Sequence, residues 1–253
     1  MSTTPPDGPD APPPAQAALG SVDDRPRPPD PVTIVVADGR ADRRAVMVRW
    51  LQVDGRFSVV GEAEDAGTAV EVLAATVPDV AFIDIDLPSG SFQPDGSATA
   101  TPVADGVGAL AIAHRLRPAV RLVAVAVDDD DRAYAALAAG AMGLYLWDDP
   151  VATAVDVAAG VARGEAPLTV GWAGRIIDEV RWLAREPGLV PAPELTPTEL
   201  EVLRRVAAGA TPAAIAELHG VTVHLVGLHA GVAVTKVRRH HDDLHQLDVL
   251  RPG

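Results

Sequence analysis

"DVAFIDIDLPSG", residues 79–90, carries the reading of this chain. An apolar run from Val80 to Ile83 stops abruptly at Asp84, and Asp86 and Pro88 follow. Carboxylates at the mouth of a buried strand are costly unless they are paired, hydrogen-bonded or put to use.

The flanking sequence repeats the pattern. Upstream, "VTIVVAD" (32–38) is a β-branched run that also ends in an acid, Asp38. "RADRRAVMVRWLQ" (40–52) has apolar residues at helical spacing, "FSVVGEA" (57–63) reads as a strand and "AGTAVEVLAAT" (66–76) as a helix. Downstream come a helix at 106–116, a strand at 121–127, a helix at 131–140 closed by Gly140, a strand at 143–147, and a helix at 150–164 with Pro150 near its first turn. Alternation at this spacing predicts an α/β doubly wound fold, a five-stranded parallel sheet with helices on both faces. Sites in such folds lie at the carboxyl ends of the strands. Asp38, Asp84, Asp86 and Asp128 all fall at or near those ends. The run "DDDD" (128–131) reads as a solvated helix start, where acids suit the positive end of the dipole.

The chain divides into four parts. Residues 1–30 hold nine prolines and few large apolar groups, and are expected to be a disordered tail. Residues 31–165 are the α/β domain, 166–193 a connection containing a helix, and 194–253 an all-α domain. In the last part, Thr196, Pro197 and Glu199 form a capping box at a helix start, and Thr211–Pro212 repeats the Thr-Pro signal. A third helix is expected over 222–241 and a fourth over 242–250, a helix-turn-helix arrangement.

The formal net charge of -14 is uneven, with -10 on residues 31–165 and -1 on residues 194–253. The acidic domain is therefore a poor non-specific partner for nucleic acid. The last part carries six of the seven histidines and becomes basic if pH falls. With no cysteine there is neither a disulfide framework nor a Cys-based zinc site. No apolar run reaches the ~18 residues of a membrane span. No secretory signal is evident, and a cytoplasmic location with no membrane contact is expected.

Three stretches in this order, "VVGEAEDAGTAVEVLAATVPDVAFIDIDLP", "ALAAGAMGLYLW" and "ELTPTELEVLRRVAAGATPAAIAEL", resemble the response regulators that join a flavodoxin-like receiver domain to a LuxR/NarL-type helix-turn-helix domain. The resemblance covers about residues 32–250. It implies a transcriptional regulator of two-component or orphan type rather than an enzyme. Asp84 matches the phosphoacceptor. Asp38 matches one of an acidic pair that holds Mg2+, and Asp86 sits where its backbone carbonyl could help hold the metal. A histidine kinase is the implied phosphodonor, and a homodimer is expected by analogy alone.

This chain departs from the family pattern at three positions. Gly39 stands at the second acid, Val125 (or Ala126, one residue off) at the hydroxyl position, and Trp147 at the lysine position. An atypical receiver with a weak Mg2+ site follows. Trp147 reads first as packing, and secondly as a ring on which a small ligand could stack. "SGSFQPDGSATATPVA" (89–104) is an insertion beside Asp84, expected to be a mobile flap over the pocket.

The DNA-facing helix departs as well. Thr222, His224, His229, Lys236, Arg238 and Arg239 are the candidate DNA contacts. Gly227 replaces the family's lysine, and Val232 falls where arginine is common. Gly227 and Gly231 each weaken a helix by ~1 kcal/mol relative to Ala. DNA is the expected partner, bound with modest affinity and weak base specificity. Two other readings remain: a regulator gated by a ligand or partner without phosphorylation, and a protein-interaction module that has lost DNA binding.

Overall fold

The computed structural model describes residues 30–94, 97–185 and 193–249. Nearly all of the expected tail, and residues 186–192 of the expected connection, lie outside the described residues. Five strands, β1 (Val32–Ala37), β2 (Phe57–Ala63), β3 (Val80–Asp84), β6 (Arg121–Ala126) and β7 (Ala141–Leu146), form one parallel sheet in the order β2-β1-β3-β6-β7. This is the doubly wound sheet expected from the βα alternation. β3 is central and buried along its whole length, which is why it reads as an unbroken apolar run.

The two faces of β3 feed two cores. Val80 and Phe82 pack with Met47 and Leu51 of α1 (Ala41–Val53) and Val161 of α5 (Val151–Ala162). Ala81 and Ile83 pack with Leu73 of α2 (Ala66–Thr76), Leu110 of α3 (Gly106–Leu116) and Leu137 of α4 (Asp131–Ala138). Each fully buried side chain of this size contributes about 1.5–3 kcal/mol.

The insertion is not a flap. Gly90–Phe92 (β4) and Thr101–Val103 (β5) pair as an antiparallel hairpin, with Phe92 and Val103 buried in the core shared with α2 and α3. Gly67 of α2 lies so close to the Ser91 backbone that no side chain fits between them. An apolar residue at each end of a Gly/Ser-rich stretch is enough to anchor it.

Helix α6 (Val170–Arg185) follows, and buries Trp172 and Ile176. Then come α7 (Pro197–Ala207), α8 (Pro212–His219) and α9 (Val223–Val249). The capping box is formed: Thr196 accepts from the Glu199 N–H, and Glu199 accepts from the Thr196 N–H. Helices α8 and α9 meet at 109°, within the range of a helix-turn-helix corner. The expected third and fourth helices are one continuous α9, because no Gly or Pro interrupts the sequence between Gly231 and the end of the helix at Val249. Among the described residues no single helix is long and apolar enough to cross a membrane.

Candidate functional site

Parallel pairing of β1 with β3 sets Ala37 beside Ile83, so the next residues, Asp38 and Asp84, emerge together at the carboxyl edge. Both are buried, 2% and 6% exposed. Asp38 Oδ1 accepts from the Arg40 N–H at 2.7 Å, and Asp84 Oδ1 from the Asp86 N–H at 2.9 Å. Asp38 Oδ2 is buried without a hydrogen-bond partner among the described residues. Burial pushes the Asp84 carboxyl up to about 6; the Asp86 N–H opposes this, the Asp38 and Asp86 charges add to it, and Arg43 pulls it back. Burial also raises Asp38, against the Arg40 N–H and the charges of Arg43, Arg44 and Arg40.

The surrounding positions are occupied in a particular way. A Cβ added to Gly39 would lie 2.6 Å from Pro88 Cδ, so the proline ring has closed over the place where a second acid would stand. Val125 is buried directly across from Asp84 on β6, and its carbonyl accepts from the Ile85 N–H at 2.9 Å. No hydroxyl is present there. Trp147 follows β7 and donates its backbone N–H to the Ala126 carbonyl, while its indole Nε1 is buried without a hydrogen-bond partner among the described residues. Its indole packs edge-on against Tyr145 at 5.9 Å, and the Arg43 guanidinium lies 5.1 Å above it. The ring packs as expected, and its other face carries the chain's own Arg43 where a small ligand was the alternative expectation.

Asp86 is exposed and turned to another task. Its carboxylate pairs with Arg132 at 3.0 Å, and Arg132 also reaches the Ile85 carbonyl and Asp105. Arg132 thereby ties the loop after β3 to the starts of α3 and α4. Asp130 caps α4 by accepting from two backbone N–H groups, as an acid-rich helix start should.

The donors suit a divalent cation held by Asp38 and Asp84, with Asp38 Oδ2 as the unsatisfied atom it would pair. Bound there, such an ion would offset charge on phosphoryl oxygens. The set is thin. Asp86 offers no free carboxylate, and among the described residues no three His, Asp or Glu side chains converge on one point.

The second half of the site is the face of α9. His224, Gly227, Gly231 and Arg238 fall on one stripe of that helix. The stripe lies against the α/β domain. His224 Nδ1 is 2.6 Å from Glu165 Oε1, and the Ala166 N–H donates to the Gly227 carbonyl at 3.2 Å. A Cβ on Gly227 would come 2.8 Å from Glu165 Oε2, and one on Gly231 would overlap the Gly164 carbonyl oxygen. Arg238 Nη1 donates to the Gly140 carbonyl at 2.7 Å. Further along, His241 pairs with Glu179, which also accepts from the Tyr134 hydroxyl at 2.7 Å.

Two expected DNA contacts are turned inward. Lys236 Nζ pairs with Glu199 at 2.8 Å and donates to the Glu194 carbonyl, and Arg238 is held at Gly140. His224 is engaged by Glu165. Thr222 caps α9 through its Oγ1 to the Leu225 N–H, and His229 lines a cavity of about 400 Å³ with Pro197, Val202, Ile215 and Leu225. Arg239 is exposed.

Comparison with known proteins places this architecture. No family model matches the chain. The probable transcriptional regulatory protein NarL of Mycobacterium tuberculosis is 33% identical over 192 residues, covering 76% of this chain and 81% of that protein. The chain belongs to the NarL family of response regulators. The transcriptional regulatory protein LiaR of Bacillus subtilis is 25% identical over 207 residues, 81% of this chain and 90% of its own length. The solved receiver domain of the M. tuberculosis NarL is 32% identical and matches 54% of this chain and 99% of its own, with a TM-score of 0.45.

Within this response regulator, sequence reasoning missed Arg43 and Arg132, whose partners are remote in sequence. It also read Gly227 as the loss of a family lysine, and both Gly227 and Gly231 as helix weakeners, and not as a point of close approach. Their signal was their spacing of four, which clears one face of a helix.

Proposed function

We propose that the chain is a DNA-binding transcriptional regulator in which the receiver holds the DNA-facing helix closed and Asp84 is the input. The observation that carries this reading is the stripe His224, Gly227, Gly231 and Arg238 seated on Glu165, Gly164 and Gly140. Two adjacent missing side chains on that helix let two backbones approach. The helix cannot present this face to a major groove until the contact parts.

The input pocket is reduced. It keeps two buried carboxylates, loses the second acid, the hydroxyl and the lysine of the family pattern, and offers a divalent ion few ligands. A histidine kinase is the upstream partner this implies, with slow or partial phosphorylation of Asp84. Intact mass after incubation with acetyl phosphate and Mg2+, for the natural chain and Asp84→Ala, tests the input. Retention of duplex DNA at low salt tests the output. Retention is expected to be weak for the natural chain and stronger for Glu165→Ala, which removes the partner of His224.

A second reading is favoured by one observation. The solvent-facing positions around the turn and along α9 include Leu218, Val223, Leu225 and Val232, at 58%, 48%, 38% and 46% exposure. Such a surface suits a protein partner better than phosphates. No DNA retention at low salt by either chain would select it.

A further inference from the structure

The acidic pocket holds two buried carboxylates and receives an anion if it is phosphorylated, so a cation beside it that is not already paired decides whether that anion is tolerable. Three arginines stand at the start of α1. Arg40 is paired with Asp42. Arg44 is committed to the Asp38 carbonyl at 2.7 Å and to Glu62 at 3.2 Å. Arg43, half-buried, has no carboxylate partner among the described residues and lies over Trp147. Its charge reaches both Asp38 and Asp84, whereas Arg40 and Arg44 act on Asp38.

Trp147 directly follows β7, and its ring lies 5.1 Å beneath this cation. The indole packs edge-on against Tyr145, and the Trp147 backbone is tied to β6 by its N–H donating to the Ala126 carbonyl, so the ring stands on a fixed base. A guanidinium on an aromatic face keeps its edge N–H groups free, and those groups match phosphoryl oxygens in pairs. A lysine here would gain little from the ring face and would make point contacts only.

We infer that Arg43, seated on Trp147, is the phosphoryl-binding cation of the Asp84 pocket. The inference rests on the reading of Asp84 as phosphoacceptor. In that step an Asp84 carboxylate oxygen attacks phosphorus, and the bond from phosphorus to the donor oxygen breaks. With acetyl phosphate as donor, acetate leaves with the electron pair. The product carries the phosphoryl charge beside Asp38, and the Arg43 guanidinium pairs with its oxygens. Arg43 and Trp147 act as one unit, which exchanges a cation on a strand for a cation on a helix held by an aromatic ring.

The test uses the full chain with acetyl phosphate and Mg2+, reading phosphorylation of Asp84 by intact mass over time. Arg43→Gln is expected to slow it by about a hundredfold, the lower end of the scale seen when one charge-stabilising donor is lost. Arg43→Lys is expected to fall between the two. Arg43→Gln with Trp147→Lys is expected to regain much of the rate, an outcome that a merely structural stacking role would not produce. Thermal melting of each variant checks folding, and Arg43→Lys decides if the double variant does not fold. Equal rates for the natural chain and Arg43→Gln overturn the role of Arg43 and leave the phosphoacceptor reading standing. No phosphorylation of the natural chain overturns that reading, and the inference falls with it.

Discussion

Gly231 of α9 lies against the carbonyl oxygen of Gly164, at the end of α5, so closely that a methyl group on Gly231 would overlap it. Beside this contact the Ala166 N–H donates to the Gly227 carbonyl, and Glu165 holds His224. Helix, turn and receiver are thus joined by backbone atoms as well as side chains. The two glycines are costly in an isolated helix and useful in this one.

Gly231→Ala therefore sets two effects against each other. Alanine favours the helix by ~1 kcal/mol. It also forces α9 away from Gly164. The expected result is an unchanged or slightly more stable helical domain with a weakened contact to the receiver. Hydrogen exchange at the Ala166 amide checks this: protection should fall, and DNA retention at low salt should rise. Protection equal to that of the natural chain would show that the close approach is not what holds the helix.

Glu199 tests how Lys236 is used. Burial raises the Glu199 carboxyl, but the Lys236 ammonium and the Thr196 N–H outweigh it and hold it below its ordinary value of 4.5. An acid whose pKa is lowered on folding contributes stability above the unfolded value and loses it as pH falls through the folded one. The contribution of this pair is thus full at neutral pH and fades below about 4.5. Glu199→Gln keeps a capping-box side chain and removes the charge, so a loss of about 1–2 kcal/mol is expected at pH 7. Melting curves at pH 7 and pH 4 should show that loss shrinking. A constant loss at both would mean that the amide fails as a cap and that charge is irrelevant.

The βα alternation was legible because β3 is buried on both faces and β1 and β3 run directly into acids, Asp38 and Asp84. Asp38 and Asp84 could be paired from sequence, since adjacent parallel strands deliver the residues that follow them to one edge. Lys236 and Arg238 could not be assigned. A cation near a helix end looks the same whether it faces phosphate, a capping glutamate or a carbonyl on another element. Arg43 and Arg132 were hidden for a related reason: each acts on residues from a different strand end. The hairpin was readable only through Phe92 and Val103, two apolar residues separated by a stretch that otherwise signals a loop.

Asp84 is predicted to destabilise the resting protein. Its pKa is raised on folding from 3.8 to about 6, so between those values the folded chain binds more protons than the unfolded one. Stability then falls as pH rises through that window, and the full cost persists above about 6. Asp84→Asn removes the charge while keeping an oxygen for the Asp86 N–H. A gain of about 1–2 kcal/mol is expected at pH 7 and almost none at pH 4. Chemical denaturation at both pH values measures it. A loss of stability at pH 7 would mean that the ionised carboxylate is better paired than its burial suggests.

Gly39 offers the most direct challenge to the pocket. Restoring an acid there by Gly39→Asp adds a Cβ where Pro88 Cδ stands 2.6 Å away. The loop after β3 must move, and that loop is tied down by Arg132 to Asp86 and by the Pro88 carbonyl to the Ala66 N–H. Overpacking of this kind costs about 1–3 kcal/mol. Gly39→Asp alone is therefore expected to lower the melting temperature and to gain little Mg2+ affinity in a calorimetric titration. Adding Pro88→Ala removes the ring but keeps the carbonyl that Ala66 uses. The double variant should recover the melting temperature and bind Mg2+ more tightly than the natural chain, since a third carboxylate then joins Asp38 and Asp84. If Gly39→Asp alone binds Mg2+ as tightly as the double variant, the proline ring is not what keeps the acid out.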